Sequence, residues 1–191
     1  MKIGVLALQG AFREHCRMLE RCDAQACEIR TPAELFEIDG LIIPGGESTT
    51  IGKLMTEWNP LPAIREQYQN GMPIYGTCAG MILLCNDIAD SNQPRLGLLD
   101  ARVRRNGFGR QRESFEAMLN VPEFGPDPLA AVFIRAPYIE RCGPNVSVLA
   151  DVNGKIVIAK QEKILVTAFH PELTNDDRVH RYFLRMAAGE A

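Results

Sequence analysis

Met72-Pro73-Ile74-Tyr75-Gly76-Thr77-Cys78-Ala79-Gly80-Met81-Ile82-Leu83-Leu84 sets an apolar run, a Gly-x-Cys-x-Gly sequence and a second apolar run end to end. In the nucleophile-elbow arrangement a strand turns sharply into a helix and lifts one nucleophilic side chain clear of its surroundings. Glycines flank such a turn because it is too crowded for Cβ atoms. The lifted residue here is Cys78, at the start of a helix whose positive dipole end favours the reactive, ionised form of a thiol. On this stretch alone the alternative stays open: a cysteine packed inside a buried helix, as most cysteines near apolar runs are. A base, an orienting group and donors for an oxyanion must come from elsewhere in the chain.

Upstream of the elbow, strand and helix signals alternate. Ile3–Leu8 is a short, nearly continuous apolar run, the pattern of a strand buried on both faces. Gln9-Gly10 then opens a helix with inward positions at Ala11, His15, Met18, Leu19 and Cys22, a helical spacing. A strand at Ala26–Ile29, a short helix at Pro32–Glu37 and a buried strand at Gly40–Ile43 follow, the last stopped by Pro44-Gly45-Gly46. Thr49–Trp58 and Leu61–Gln69 read as helices, and Ile74–Tyr75 as the strand entering the elbow. This alternation predicts a parallel sheet with helices on both faces.

Downstream the pattern changes. Leu98–Arg105 and Ser114–Val121 alternate apolar and polar residues as half-buried strands do. Ala130–Ala136 and Val146–Asp151 are further strands, and Asn153-Gly154 joins the latter to Lys155–Lys160 in a hairpin, since both residues tolerate positive φ. A last buried strand, Ile164–Phe169, precedes a helix over Asp176–Ala188. The expected architecture is one α/β domain over residues 1–191, with a mostly parallel central sheet and antiparallel additions in its C-terminal half.

Composition narrows the function classes. The 191 residues are 46% hydrophobic and 24% charged, ordinary for a globular domain large enough to bury a core. A net charge of −3 argues against a dedicated nucleic-acid binder. No apolar run is long enough to span a bilayer. Ile3–Leu8 is too short, and lacks a convincing cleavage site, for a signal sequence. Six cysteines are scattered without a C-x-x-C pair, which disfavours a zinc site or a disulfide scaffold and fits a reducing cytoplasm.

Three histidines are available as the base for Cys78. His15 and His180 fall within the first and last helices and read as surface or packing residues. His170 differs, because it follows the strand Ile164–Phe169, and sites in open parallel sheets gather outside the carboxyl ends of strands. Pro171 biases His170 toward extended backbone, in which residues two apart project to the same side. Glu172 can then hold the imidazole, set its tautomer and stabilise its protonated form. Pro44-Gly45-Gly46-Glu47-Ser48-Thr49 lies between a strand and a helix. It is not a Walker loop: five residues, not four, separate Gly46 from Gly52-Lys53, and Leu54 follows. Its paired glycines suit an oxyanion hole, with Gly46 giving one N–H donor and Ala79, next to the nucleophile, the other. Together these groups support acyl transfer through a thioester on Cys78.

The same residues resemble the class I (triad) glutamine amidotransferases over essentially the whole chain. The resemblance rests on Ile3–Gly10, on Pro44-Gly45-Gly46-Glu47-Ser48-Thr49-Thr50, on Gly76-Thr77-Cys78-Ala79-Gly80 and on Phe169-His170-Pro171-Glu172-Leu173-Thr174. Narrower motifs are Phe108-Gly109-Arg110-Gln111, Ser114-Phe115-Glu116 and Phe133-Ile134-Arg135-Ala136-Pro137, which are similar to the branch serving pyridoxal 5′-phosphate (vitamin B6) synthesis. One departure is Gly107, where that branch more often has Ser. The resemblance implies a flavodoxin-like fold and glutamine hydrolysis by Cys78, His170 and Glu172. It implies that Gly46, Glu47, Ser48, Arg105, Ile134 and Arg135 contact L-glutamine, and that Gln9-Gly10 lies near the oxyanion loop. It implies no cofactor or metal, but a partner: a synthase subunit of (β/α)₈ fold, twelve copies of each subunit forming the assembly, which receives the ammonia. A glutaminase subunit for another pathway, such as imidazole glycerol phosphate synthesis, and a non-catalytic binding module on the same scaffold are the competing readings. The second is disfavoured because no triad member is missing.

Overall fold

The computed structural model describes residues 1–109 and 114–191. Arg110 and Gln111 of the Phe-Gly-Arg-Gln motif lie outside the described residues. The chain opens with β1 (Lys2–Leu6), α1 (Phe12–Arg21), β2 (Gln25–Ile29), a 3₁₀ segment (Pro32–Glu37) and β3 (Gly40–Ile43). Next come α2 (Ser48–Glu57), α3 (Pro60–Gln69), β4 (Ile74–Thr77), α4 (Ala79–Leu84), β5 (Cys85–Ile88) and β6 (Leu99–Arg104). The rest is β7 (Ser114–Leu119), β8 (Leu129–Ile134), β9 (Tyr138–Cys142), β10 (Ser147–Val152), β11 (Lys155–Gln161), β12 (Ile164–Thr167) and α5 (Arg178–Ala188).

Among the described residues, the main sheet runs β2-β1-β3-β4-β12-β11-β9-β6-β5, with β10 paired to β11. From β2 through β12 neighbouring strands are parallel; β12–β11, β11–β9 and β9–β6 are antiparallel. Every residue of β3, β4 and β12 is buried, so both faces of these strands are covered, which is why their sequences read as unbroken apolar runs. In α1 the inward residues are His15, Met18 and Leu19, one stripe of an amphipathic helix. The β10–β11 hairpin turns on Asn153 and Gly154 at φ 53° and 76°, the positive values that Asn-Gly predicts.

Two strands depart from the sequence expectation. β5 starts directly at the end of α4, and β9 lies between β6 and β11. Both carry polar residues along most of their length: Asn86 and Asp87 in one, Glu140 and Arg141 in the other, with Ile139 the fully buried residue of β9. β8 stops at Ile134 rather than Ala136 because Arg135 takes a φ of 46°. β7 and β8 form a separate two-stranded sheet. It is fastened at the carboxyl end of β12, where the His170 N–H donates to the Val132 carbonyl at 2.8 Å and Phe133 meets Phe169 edge-on, ring centroids 5.5 Å apart.

This order decides where chemistry can occur. β3, β4 and β12 are adjacent and parallel, so their carboxyl ends open side by side and carry Gly45, Cys78 and His170 to one edge.

Candidate active site

Cys78 occupies the turn between β4 and α4 at φ 47° and ψ −98°, a conformation that a side-chain-bearing residue adopts only when its surroundings impose it. Its N–H is held by the Thr167 carbonyl at 2.8 Å, which ties the turn to β12. Gly80 explains the closeness of the packing: a Cβ there would run into the carbonyl oxygen of Ile43 on β3. The elbow read from the sequence is therefore present, and its helix is short, six residues from Ala79 to Leu84. Ala79 is the first of them, so its N–H has no acceptor within the helix.

His170 Nδ1 lies 2.7 Å from Glu172 Oε1, so the ring donates its Nδ1–H to the carboxylate and turns Nε2 toward Cys78. The two residues meet across a 3₁₀ turn over Pro171–Leu173, not along an extended segment as the sequence reading supposed. His170 itself, at φ −110° and ψ 83°, precedes that turn. Burial alone would lower the pKa of His170, but hydrogen bonds and charge from Cys78 and Glu172 outweigh it and push it up to about 10. Burial would likewise raise Glu172; the neighbouring His15 and His170 reverse this and hold it below the usual carboxylate range.

The loop after β3 stands against the same residues. A Cβ on Gly45 would collide with His170 Cε1, so glycine there lets the backbone lie on the imidazole. The Gly45 carbonyl accepts from the Ala11 N–H at 3.0 Å, and the Glu47 N–H donates to Gln9 Oε1 at 2.8 Å. Gln9 thus meets the loop, as the resemblance implied. The Glu47 carboxylate is turned back on α2, accepting from the Thr50 N–H at 2.7 Å, the Thr50 hydroxyl at 2.9 Å and the Thr49 hydroxyl. That capping, led by the Thr49 hydroxyl, lowers its pKa to about 2.

These groups border a cleft of about 520 Å³, the size of a small-molecule site. Gly46, Glu47, Ser48, Cys78, Arg105, Ile134, Arg135 and His170 all line it, so every residue expected to meet substrate is brought together with Cys78 and His170. Glu172 stands behind His170, and Ala79 is buried beneath Cys78. The wall also includes Ile82 and Asn106, which motif reading did not single out, and Ser114 of the Ser-Phe-Glu motif. Arg105 is steadied by Gln93, whose Oε1 accepts from Arg105 Nη1 at 2.9 Å and from the Ser48 hydroxyl at 3.4 Å. Asn106 and Arg135 both take positive φ, 48° and 46°, which turns their loops into the cleft. At the Gly107 departure, the N–H donates to the Ala136 carbonyl at 2.9 Å and the carbonyl accepts from Lys155 Nζ at 2.5 Å.

Of the surface and packing readings of His15, the structure bears out packing, and places it beside the site: it is fully buried, and its Nε2 lies 3.4 Å from Glu172 Oε2 and 3.1 Å from Thr77 Oγ1. His180 is a buried packing partner of that ring, 2.9 Å from His15 Nδ1. The available signal was weak, a histidine on the inward stripe of α1.

A nucleophile, a base with its carboxylate and a glycine-backed loop at one sheet edge can together perform acyl transfer. Comparison with known proteins agrees with this chemistry. A profile described as the SNO glutamine amidotransferase family matches residues 5–189. A curated protein of Carboxydothermus hydrogenoformans named pyridoxal 5′-phosphate synthase subunit PdxT is 58% identical over 184 residues, 96% of each chain. One of the same name from Pelotomaculum thermopropionicum is 59% identical, covering 96% of this chain and 94% of its own. A solved structure described as a crystal structure of glutamine amidotransferase is 49% identical, covers 97% of this chain and 98% of its own, and superposes with a TM-score of 0.93.

Proposed function

Because the chain belongs to the SNO glutamine amidotransferase family, we propose that Cys78, His170 and Glu172 are the triad with which it hydrolyses L-glutamine. The protein is the glutaminase subunit of a pyridoxal 5′-phosphate synthase, releasing L-glutamate and ammonia. The observation that carries the triad is the pairing of His170 with Glu172 at 2.7 Å beside a nucleophile held on a strained turn at the next strand end.

In the first half-reaction Cys78 Sγ attacks the side-chain amide carbon of glutamine while its proton passes to His170 Nε2. The N–H groups of Gly46 and Ala79 receive the oxyanion. Losing one such donor costs on the order of 3 kcal/mol in the barrier. Protonated His170 gives its proton to the departing nitrogen, the C–N bond breaks, and ammonia leaves a thioester. Neutral His170 then takes a proton from water, whose oxygen attacks the thioester, and returns it to Sγ as the C–S bond breaks, freeing glutamate and the thiol. Glu172 keeps the proton on His170 Nδ1 throughout, so that Nε2 is the working nitrogen. At the far end of the cleft, Arg105 and Arg135 suit the α-carboxylate of glutamine, while Glu47 and Ser48 suit its ammonium. Ile134 and Gly46 flank the aliphatic stem. Glu47 must exchange part of its cap for the ammonium when substrate binds.

The reading extends to the partner. Ammonia released into water is protonated and lost to the synthesis, so the product is best passed directly to a synthase subunit. We take this to be a (β/α)₈ barrel, with twelve copies of each subunit in the assembly and residues 1–191 acting as one amidotransferase domain in the cytoplasm. Among the described residues no helix is long and apolar enough to cross a membrane. The test is glutamate release by the chain mixed with its synthase subunit. Cys78→Ala is expected to lower kcat by roughly a thousandfold or more, and undiminished turnover would overturn the triad.

A further inference from the structure

Glu172 has two carboxylate oxygens, and the triad uses one. Oε1 takes the His170 proton, whereas Oε2 is buried without a hydrogen-bond partner among the described residues. His15 faces it from α1, with Nε2 3.4 Å away, too long for a good hydrogen bond but on the carboxylate's open side. The same nitrogen is 3.1 Å from Thr77 Oγ1, the residue before the nucleophile, and the other ring nitrogen is 2.9 Å from His180 Nε2 on α5. Tyr75 stands edge-on to the His15 ring, centroids 6.2 Å apart. The ionisable groups around His15 are therefore Glu172 and His170 beyond β12, His180 on α5, Tyr75 on β4 and Glu14 on α1 itself.

The protons can be placed by elimination. Burial lowers the pKa of both His15 and His180, so each ring is neutral near pH 7 and carries one N–H. Were the His15 proton on Nδ1, it would donate to His180 Nε2 and force the His180 proton onto Nδ1, which has no partner among the described residues. The lone pair of His15 Nε2 would then face a carboxylate. With the His15 proton on Nε2, His180 donates to His15 Nδ1, and its own Nδ1 is left as a bare acceptor. No buried N–H is orphaned, and the His15 N–H points at Thr77 Oγ1 and Glu172 Oε2. The second arrangement costs less, because a buried donor without an acceptor forfeits its full hydration.

We propose that His15, with its tautomer set by His180, is a positioning residue that holds Glu172 by its second oxygen and keeps the first on His170 through the catalytic cycle. This rests on the triad reading above. Without the His15 donor the carboxylate can rotate about its last bond, and the imidazolium of His170 loses part of its support.

Two isosteric amides separate positioning from packing. The amide nitrogen of a glutamine reaches the place of Nε2 and the amide oxygen of an asparagine can accept at the place of Nδ1, so His15→Gln keeps the donor to Glu172 while His15→Asn keeps only the contact with His180. Both are assayed with the complete synthase, folding being checked by circular dichroism. His15→Gln is expected to keep kcat within about threefold of the parent. His15→Asn is expected to lose about tenfold or more in kcat, the scale of a misaligned catalytic group, with KM for glutamine unchanged and the alkaline limb of kcat/KM moved to lower pH. Equal kcat and equal pH profiles for the two amides would overturn the proposal. If either amide fails to fold, ¹⁵N-histidine spectra of the parent decide: an Nε2–H tautomer at His15 is expected, and an Nδ1–H tautomer overturns it. A Cys78→Ala control separates the two readings. Residual full activity there defeats the triad itself, whereas a dead control with equal amides defeats only the role of His15.

Discussion

At the scale of single residues, the site works by setting charge against burial. His170 is almost wholly enclosed, which would favour its neutral form, yet Cys78 and Glu172 raise its pKa from 6.5 to about 10. A folded-state pKa above the unfolded one means that the native state binds the proton more tightly. The stability this contributes is fully present below about pH 6.5 and is lost as pH rises through about 10. The urea midpoint of the parent should therefore fall between pH 7 and pH 10, and fall less in Glu172→Gln, in which the supporting charge is gone. An equal fall in the two proteins would show that some other group governs the alkaline loss. His170 and Glu172 were readable because they are two positions apart after a buried strand. His15 was not, since an inward histidine on a helix looks the same whether its neighbour is an alkyl group or a carboxylate.

Among the elements, α2 is the one whose end doubles as a wall of the site. It starts at Ser48, and the Glu47 side chain caps it by accepting from the Thr50 N–H, with both threonine hydroxyls on the same carboxylate. Capping of this kind is worth about 1 kcal/mol, so Glu47→Ala should lower unfolding free energy by about that amount at neutral pH. Because the Glu47 pKa is depressed to about 2, the contribution exists above about pH 4.5 and disappears as pH falls through 2. Denaturation of parent and variant should thus converge in acid; a constant gap down to pH 2 would contradict the capping role. The elements that escaped sequence reading, β5 and β9, lie beyond β11, β9 paired antiparallel on both sides and β5 parallel to β6 at the sheet edge. A strand such as Tyr138–Cys142, with one fully buried residue and charges at Glu140 and Arg141, offers almost no alternation to detect.

For the whole molecule, the cleft depends on how the small β7–β8 sheet is docked onto the parallel core. Phe133 is the buried pivot: it stacks on Phe115 at 4.5 Å, meets Phe108 at 5.7 Å beside the Arg105 loop, and packs on Phe169 just before His170. The neighbouring Ile134 and Arg135 line the cleft. Phe133→Ala should cost about 3–5 kcal/mol of stability. It should also raise KM for glutamine more than it lowers kcat, because the substrate wall loosens while the elbow on β4 stays anchored. Chemical denaturation and steady-state kinetics check the two halves, and an unchanged KM would mean that the wall is held from elsewhere.

The sequence by itself determined the elbow, the strand runs that flank it, the His-x-Glu pair and the glycine loop, because each is a local pattern: backbone conformation and burial period are written within a few neighbouring residues. It also determined the family, through motifs spread along the chain. Only the tertiary structure decided that β3, β4 and β12 stand side by side, that Gln9 meets the loop after β3, that Gln93 steadies Arg105, and that His15 and His180 lie behind Glu172. Those contacts join residues far apart in the chain. Strand order and helix docking create them by burying apolar faces against one another, and no spacing in a linear sequence encodes which buried polar groups that packing will bring together.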